Sequence, residues 1–383
     1  MEGTSKINIE KKGNFKFPET ERMFSRYLDN KIIYLNPRFA GALPFTIGDR
    51  DPSVSMVVSA DEKTPDGYTD ARVGHYRSTM NPSNRTFELK DFPYSDSKGG
   101  GNYSRAMWKR LPWDPSDGSG IKGFFTTNVM GLLNMNDALY DAEMTEKLIE
   151  SGVRPGCVIS SIARLKEILI PKKNETPVIV PVTSTKIPTW VSNKMFGGVF
   201  DKKRMPSVMR RHYSWPIRVI DLANPQLSTP QRKEMIDATI EHVSAKHRIP
   251  ATYDAYLRWF AQDLAESVAL MHVAGLHHWY LHTQNVLVDG GIMDNDSAGR
   301  ISILPWRKHI HLKRDKDHTT GYGLRTGAKF NIDKLFEHLS MIPSVETELK
   351  KSTTLNEIQN IYDDAYNATI QDPEATKARR HVI

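Results

Sequence analysis

A single cysteine, Cys157, is the whole thiol complement of this 383-residue chain. One cysteine excludes an internal disulfide and a cysteine-based zinc site. Within Cys157-Val158-Ile159 it reads as a small buried residue of a strand, and a reducing, cytoplasmic setting is expected. Long apolar runs are missing too: none approaches the ~20 residues that span a bilayer, so no membrane partner is expected. Met1–Lys12 is polar and charged, without the apolar stretch of a secretory signal. Zinc-finger spacing, the aromatic motif of RNA-binding sheets and internal repeats are all absent from the sequence.

What remains is an ordinary globular composition, 39% hydrophobic and 25% charged, long enough for two lobes with cores of their own. The net charge is +7 and the pI about 9.2. Positive residues are scattered, with denser runs at Lys202–Arg204, Arg210-Arg211, Arg307–Lys316 and Lys377–His381. Nucleic acid is not the expected partner. A small phosphate-rich ligand accounts equally well for a few converging arginines.

The pattern of apolar residues divides the chain. Lys31–Leu35, Val54–Ala60, Arg85–Lys90, Cys157–Leu165, Val178–Val182 and Ile217–Leu222 read as strands. Asp96–Arg105 and Pro112–Gly123 read as turn-rich, and Lys186–Pro206 as a loop. A first helix is predicted over Asn136–Ser151, with Gly152 as its stop. From Thr229 onward helices dominate: Pro230–Lys246, Thr252–Leu276, Asn331–Met341 and Leu355–Ile370. The tail Gln371–Ile383 is polar and expected to fray. The outline is α+β, with a β-rich part over 1–216 and a helical part over 217–383.

The centre of this arrangement is His278-Trp279-Tyr280-Leu281-His282-Thr283-Gln284-Asn285, which follows the long helix. Val286–Val288, a Gly290-Gly291 turn and Ile292-Met293-Asp294 come next. Helix, histidine-bearing loop, hairpin, then an acid is the order in which protein-kinase-like folds present a metal site. There an Asn and an Asp share magnesium on ATP. An amide and a carboxylate are hard oxygen donors of the kind Mg²⁺ takes alongside water and phosphate. Each residue is equally at home as a turn former. A kinase-like site also needs a glycine turn, a strand lysine and a helical acid that holds the lysine. Gly48-Asp49-Arg50 supplies the turn. Lys90 is placed as the lysine, with Lys98 of Lys98-Gly99-Gly100-Gly101 as the alternative. Asp141 and Glu143 compete as the acid, since residues two apart on a helix face different sides.

These segments together resemble the selenoprotein O family, kinase-fold enzymes that transfer AMP from ATP to protein hydroxyls with the nucleotide flipped. Arg258-Trp259-Phe260 is similar to the family's Leu-Trp-Phe, and His278–Asn285 resembles its His-Gly-Val-Met-Asn-Thr-Asp-Asn. Thr283 and Asn285 match within that stretch, and Asp294 falls at the family's distance from the Asn. Gly48-Asp49-Arg50 resembles Gly-Asp-Gly-Arg, Phe87–Lys90 resembles His-Leu-Lys, and Tyr103-Ser104-Arg105 resembles Tyr-Ser-Arg. Thr145-Glu146 with Gly152–Pro155 resembles Ser-Glu leading to Leu-Gly-Ile-Pro, which puts the family's lysine-pairing acid on Asp141. Arg211 and Arg218 have the separation of two family arginines that grip the phosphates. The likeness runs from Ile47 to Tyr322 with insertions, and the family's terminal selenocysteine or cysteine motif is missing.

The resemblance implies a two-lobed kinase-like fold, ATP and Mg²⁺ as cofactors, Asn285 and Asp294 as metal ligands, and a nucleotide held by Gly48, Arg50, Lys90, Asp141, Arg211 and Arg218. It also implies AMPylation of an acceptor hydroxyl, and the altered loop leaves a carboxyl acceptor open as well. One departure is chemical. The family has an Asp base just before the metal Asn, and this chain has Gln284, which takes no proton; Tyr280 stands where ordinary kinases keep their Asp. His278 and His282 are the nearby groups that titrate near neutrality and are the candidates to substitute. A loop histidine that bonds a backbone carbonyl is the alternative for His278. Two other functions stay open: a phosphotransferase acting on a small molecule or protein, and an inactive pseudokinase that binds nucleotide as a scaffold.

Overall fold

The computed structural model describes residues 23–52, 54–59, 69–75, 78–80, 89, 91–99, 133–172, 175–182, 205–223, 227–278, 281–295, 298–300 and 327–380. They form two compact units. One lies within Thr20–Thr145 and Cys157–Ser214, the other within Glu146–Gly156 and Trp215–Ile383. The first is sheet-rich and the second helical. No helix of the described residues is long and apolar enough to cross a membrane.

The sheet unit contains β1 (Met23–Tyr27), β2 (Asn30–Leu35), β3 (Ser55–Ser59), β4 (Thr69–His75), β5 (Ser78–Met80), β6 (Tyr94–Lys98), β7 (Leu133–Asn134), β8 (Val158–Leu165), β9 (Glu167–Lys172), β10 (Glu175–Pro181) and β11 (Pro206–Tyr213). The main sheet runs in the order β2-β8-β11-β6-β5-β4-β1-β3, with β7 on β11, while β9 and β10 pair with each other. Helix α1 (Met135–Glu150) follows β7. Ala138 and Ala142 of α1 pack with Leu133, Ile159, Ile162 and Met209 in an apolar core.

Seven strands of this unit, β1, β4, β5, β6, β7, β9 and β11, lie where the sequence reading places none, and β6 and β11 show why. β6 occupies Tyr94–Lys98, part of which was expected to be turn, and β11 lies in a stretch given no strand. Both carry charges that hide them. β11 is buried along its whole length, including Arg210 and Arg211. Neighbouring residues of a strand face opposite sides, so each arginine needs its own acid. Arg210 forks onto Asp51, with Nη2–Oδ1 at 2.5 Å and Nε–Oδ2 at 3.2 Å. Arg211 forks onto Asp96, directly across the ladder on β6, at 2.9 and 2.7 Å.

The helical unit contains α2 (Thr229–His247), α3 (Tyr253–Val273), the short pair β12 (Leu276–His278) and β13 (Ala298–Arg300), then α4 (Ala328–Ser340), α5 (Pro343–Ser352), α6 (Leu355–Gln371) and α7 (Pro373–Arg379). Caps set several of the starts. Ser228 and Gln231 form a capping box at α2, Thr354 and Glu357 another at α6, and Thr252 accepts from Ala255 N at α3. α3 is the hydrophobic axis. Leu257, Phe260, Leu264, Val268 and Met271 are fully buried, each stabilising by about 1.5–3 kcal/mol relative to exposure. Two expectations fail here. Ile217–Leu222 is not a strand; Val219–Ala223 winds into a 3₁₀ turn. As far as Arg380 the tail does not fray: α7 forms, capped by Asp372 on Ala375 N, and Arg380 is buried.

Both units bury histidines in the neutral form. His212, bonded to Ser160 Oγ at 3.0 Å, is pushed down to about 3 by burial and then by Arg210. His242, stacked on Trp215, falls to about 4 through burial and then Lys246. An unfolded imidazole gains its proton below about pH 6.5 while these do not, so stability drops as pH falls from there toward the folded values. Urea unfolding at pH 5 should show a loss of about 2 kcal/mol per imidazole relative to pH 7.5. A flat profile over that interval would contradict the buried neutral state.

Candidate functional site

The loop after β12 turns back on itself through one short hairpin. Val286 and Ile292 pair antiparallel, Leu287 N–H reaches Gly291 O at 2.9 Å, and Met293 N–H reaches Asn285 O at 3.0 Å. Gly290 turns the chain at φ +81°. The consequence is that Asn285 lies across from Met293, so the two residues expected as metal ligands, Asn285 and Asp294, sit at the open end of the hairpin, one on each arm and one residue out of register. Asn285 is buried and Asp294 half-buried. Asp294 has φ +63°. A left-handed backbone is uncommon outside glycine and is enriched in Asp. Such conformations cluster where a side chain must be aimed for function.

The flanking segment Ile217–Ile220 holds the hairpin from outside. Val219 N–H bonds Val286 O, Val288 N–H bonds Ile217 O and Ile220 N–H bonds Thr283 O, all at 3.0 Å. Arg218 is thereby set against the loop. Its own N–H donates to Asp221, and its Nη1 donates to Gln284 O at 2.7 Å. Burial raises the Asp221 pKa, with Arg218 opposing.

His282 lies within electrostatic reach of both Asp294 and Arg218. Burial lowers its pKa, Asp294 opposes that and Arg218 adds to it. Its Nδ1 faces Gln284 N–H at 3.2 Å. Nδ1 therefore accepts, and the proton of the neutral ring sits on Nε2. His278 is buried, with Nε2 at 3.2 Å from Met293 O. A carbonyl only accepts, so His278 donates and braces the hairpin. Arg218, His282, Gln284, Asn285 and Asp294 are thus gathered in one place; Tyr280 lies outside the described residues.

The sheet unit holds the other expected pair. Lys98, the last residue of β6, sends Nζ to Asp141 Oδ2 at 3.0 Å, with both side chains buried. Glu143 is exposed, so Asp141 is the inward-facing acid of α1. Lys90 lies outside the described residues. Gly99 follows Lys98 at φ +93°, and a Cβ there would stand 2.5 Å from Ser207 O, so glycine is required. Asp96 is two residues from Lys98 and shares its face. Arg211 is fixed to that Asp96, and the Tyr213 hydroxyl also donates to it at 2.9 Å. The pKa of Cys157, which feels Arg211, Asp141, Asp96 and Lys98, is pushed up to about 12, foremost by burial.

The Gly48 turn packs on the edge strand β2, with β8 and β11 between it and the strand of Lys98. Gly48 N–H bonds Ile32 O at 2.9 Å, Ile32 N–H bonds Asp49 O at 2.8 Å, and Gly48 has φ +103°. Asp49 accepts from Thr46 N–H and its hydroxyl. Arg50 is exposed. The turn's root is Asp51, the partner of Arg210.

No family model and no curated protein sequence matches the chain. Among the described residues no group of three or more His, Cys, Asp and Glu could hold a metal ion. A divalent ion here would need the amide and carboxylate oxygens of Asn285 and Asp294 completed by ligand oxygens, which is the way Mg²⁺ is bound with phosphates.

Sequence reasoning missed the acids Asp51 and Asp96 and the arginine Arg210. Their signal was faint, an Arg-Arg pair inside an otherwise strand-compatible stretch. Two substitutions probe the site. Lys98→Met should cost about 3–5 kcal/mol by stranding Asp141, and Lys98→Met with Asp141→Leu should recover most of it; equal losses in urea would sink the buried pairing. Asp294→Ala should be about 1 kcal/mol less stable than Asp294→Gly, and equal midpoints would argue against the left-handed backbone.

Proposed function

We propose that this protein is an ATP- and Mg²⁺-dependent transferase of kinase-like fold, moving AMP from ATP onto an acceptor hydroxyl or carboxyl as in the selenoprotein O family it resembles. The observation that carries the reading is that the hairpin sets Asn285 across from Met293, the residue just before Asp294, with the Asp in a left-handed conformation. The donor set suits Mg²⁺, which supplies charge neutralisation on phosphate oxygens. The buried Lys98–Asp141 pair supports it from the sheet unit, as a strand lysine held by a helical acid. A reducing, cytoplasmic setting goes with it.

Each residue then has a role. Asn285 and Asp294 hold the ion. Arg218, already hydrogen-bonded to the loop, adds positive charge next to it. Lys98 offers a phosphate-binding ammonium whose position Asp141 fixes, and the exposed Arg50 is a further anion donor, whereas the Gly48 and Asp49 amides are taken by Ile32 O and Thr46 O. Arg211 stiffens the Asp96–Lys98 strand through its fork. Adenylyl transfer depends on positioning and charge, so a weak base slows it without forbidding it.

One observation favours a second reading, an inactive scaffold that binds nucleotide. Gln284 carries no proton-accepting group, His278 is bonded to Met293 O, and His282 has its Nδ1 occupied.

Parallel incubations with α-labelled and γ-labelled ATP separate these. Transfer of AMP puts the α-label alone into product, and Asn285→Ala or Asp294→Ala should reduce it at least 100-fold. Label from γ alone would establish a phosphotransferase. No label, with Mg²⁺-dependent thermal stabilisation by ATP retained, would establish the scaffold. No stabilisation would remove the nucleotide altogether.

A further inference from the structure

The helical unit contains a buried charged cluster that the metal pair does not use. Arg154 sets Nε and Nη2 on the two oxygens of Asp263, each at 2.9 Å. Arg380, just beyond α7, reaches the same carboxylate at 3.1 Å. Its Nη1 also donates to the Asp263 carbonyl at 2.9 Å and to Glu266 Oε2 at 3.1 Å, and its Nη2 to Ser267 Oγ at 2.7 Å. Arg379 contributes a bond to Glu266 Oε1 at 3.1 Å. Asp263 and Glu266, a turn apart on α3, share one face. Burial alone would raise the Asp263 pKa, but Arg154 and Arg380 outweigh it and hold it below its ordinary range.

Asp263 is also a wall of the hairpin. A Cβ on Gly290 would lie 2.5 Å from Asp263 Oδ2, and one on Gly291 would lie 2.5 Å from Gly156 Cα. The opposite wall is the segment Arg154–Gly156. Ile292 N–H bonds Arg154 O at 3.1 Å, and Gly156 N–H bonds Ile292 O at 2.6 Å. The Asp289–Gly291 turn is therefore wedged between α3 and this segment, and the Arg154–Asp263 pair ties its two walls together. Arg380 is the third member of that tie, and it comes from far along the sequence.

We infer that Arg380 is a positioning residue for the Asn285–Asp294 hairpin, acting through Asp263. With Arg380 in place, Asp263 Oδ1 is held by two guanidinium groups, Arg154 and Arg380, while Arg154 holds Oδ2, the oxygen against Gly290, and Arg380 also grips the Asp263 carbonyl. Without it, the carboxylate keeps only the Arg154 fork, and the wall behind the turn loses its tie to the chain beyond α7. The effect on metal use rests on the transferase reading; the effect on the hairpin does not.

The test compares full-length protein with Arg380→Gln, Arg380→Lys and Arg379→Ala by amide hydrogen exchange, which needs no nucleotide. Arg380→Gln should speed exchange at Leu287, Gly290, Ile292 and Met293 by at least tenfold while α4 and α6 keep their protection. Arg380→Lys, which retains a charge for Asp263, should restore part of it. Arg379→Ala removes a side chain that is 58% exposed and bonds Glu266 rather than Asp263, and should leave the hairpin unchanged. Unaltered hairpin exchange in Arg380→Gln, or loss spread evenly over the helical unit, would overturn the inference. A Mg²⁺ titration of ATP-induced stabilisation is the second arm, and Arg380→Gln should need about tenfold more ion. If wild type shows no stabilisation at all, the nucleotide reading fails, and the exchange data alone decide the positioning role.

Discussion

One backbone hydrogen bond, Met293 N–H to Asn285 O, decides which side chains leave the hairpin together. Strand faces alternate with period two, so a slip of one residue would turn an arm's side chains to the other face. Isolated hairpins are only marginally stable in water. This one has a core of Val286, Leu287, Val288 and Ile292, all fully buried. It borrows the rest of its rigidity from Ile217–Ile220 on one side and Arg154–Gly156 on the other, and the Tyr256 hydroxyl adds a bond to Val288 O at 2.8 Å. The left-handed Asp294 persists because these neighbours over-determine its position.

A second rule governs four buried arginines, each of which meets a carboxylate. Arg210 with Asp51, Arg211 with Asp96, and Arg154 and Arg380 with Asp263 each present a planar guanidinium to a carboxylate. Bidentate geometry satisfies both ions in a place where either alone would cost several kcal/mol. In the sheet unit the forks fix β11 to its neighbour β6 and to the Gly48 turn. In the helical unit they fix α3 to segments remote in sequence. Such pairs specify which strands and helices meet more than they add to net stability.

This rule also explains what could be read from the sequence. Helices α2, α3, α4 and α6 were legible because apolar spacing and capping residues are local signals, and the hairpin was legible from its glycines. β11 and β6 were not. Their inward-facing Arg, Asp and Lys look like surface residues until the partner strand is known. α7 hid for the same reason: Arg379 and Arg380 read as a solvated tail, yet Glu266 and Asp263 draw them onto α3. The Asn285–Asp294 spacing is legible, whereas the sequence leaves both Lys90 and Lys98 open as the lysine of the ion pair, because only the fold shows that Lys98 meets Asp141. His278 illustrates the ambiguity of a loop histidine, since its carbonyl partner, Met293 O, is fifteen residues away.

Cys157 has one more consequence. Its sulfur is buried and its proton is held to about pH 12, so almost no thiolate, the nucleophilic form, exists at neutral pH. Alkylating reagents and mild oxidants will therefore find the native fold chemically silent. A cysteine introduced at an exposed site could carry a fluorophore or spin label without first removing the natural one, and reactivity at Cys157 itself would then report unfolding of the sheet around it.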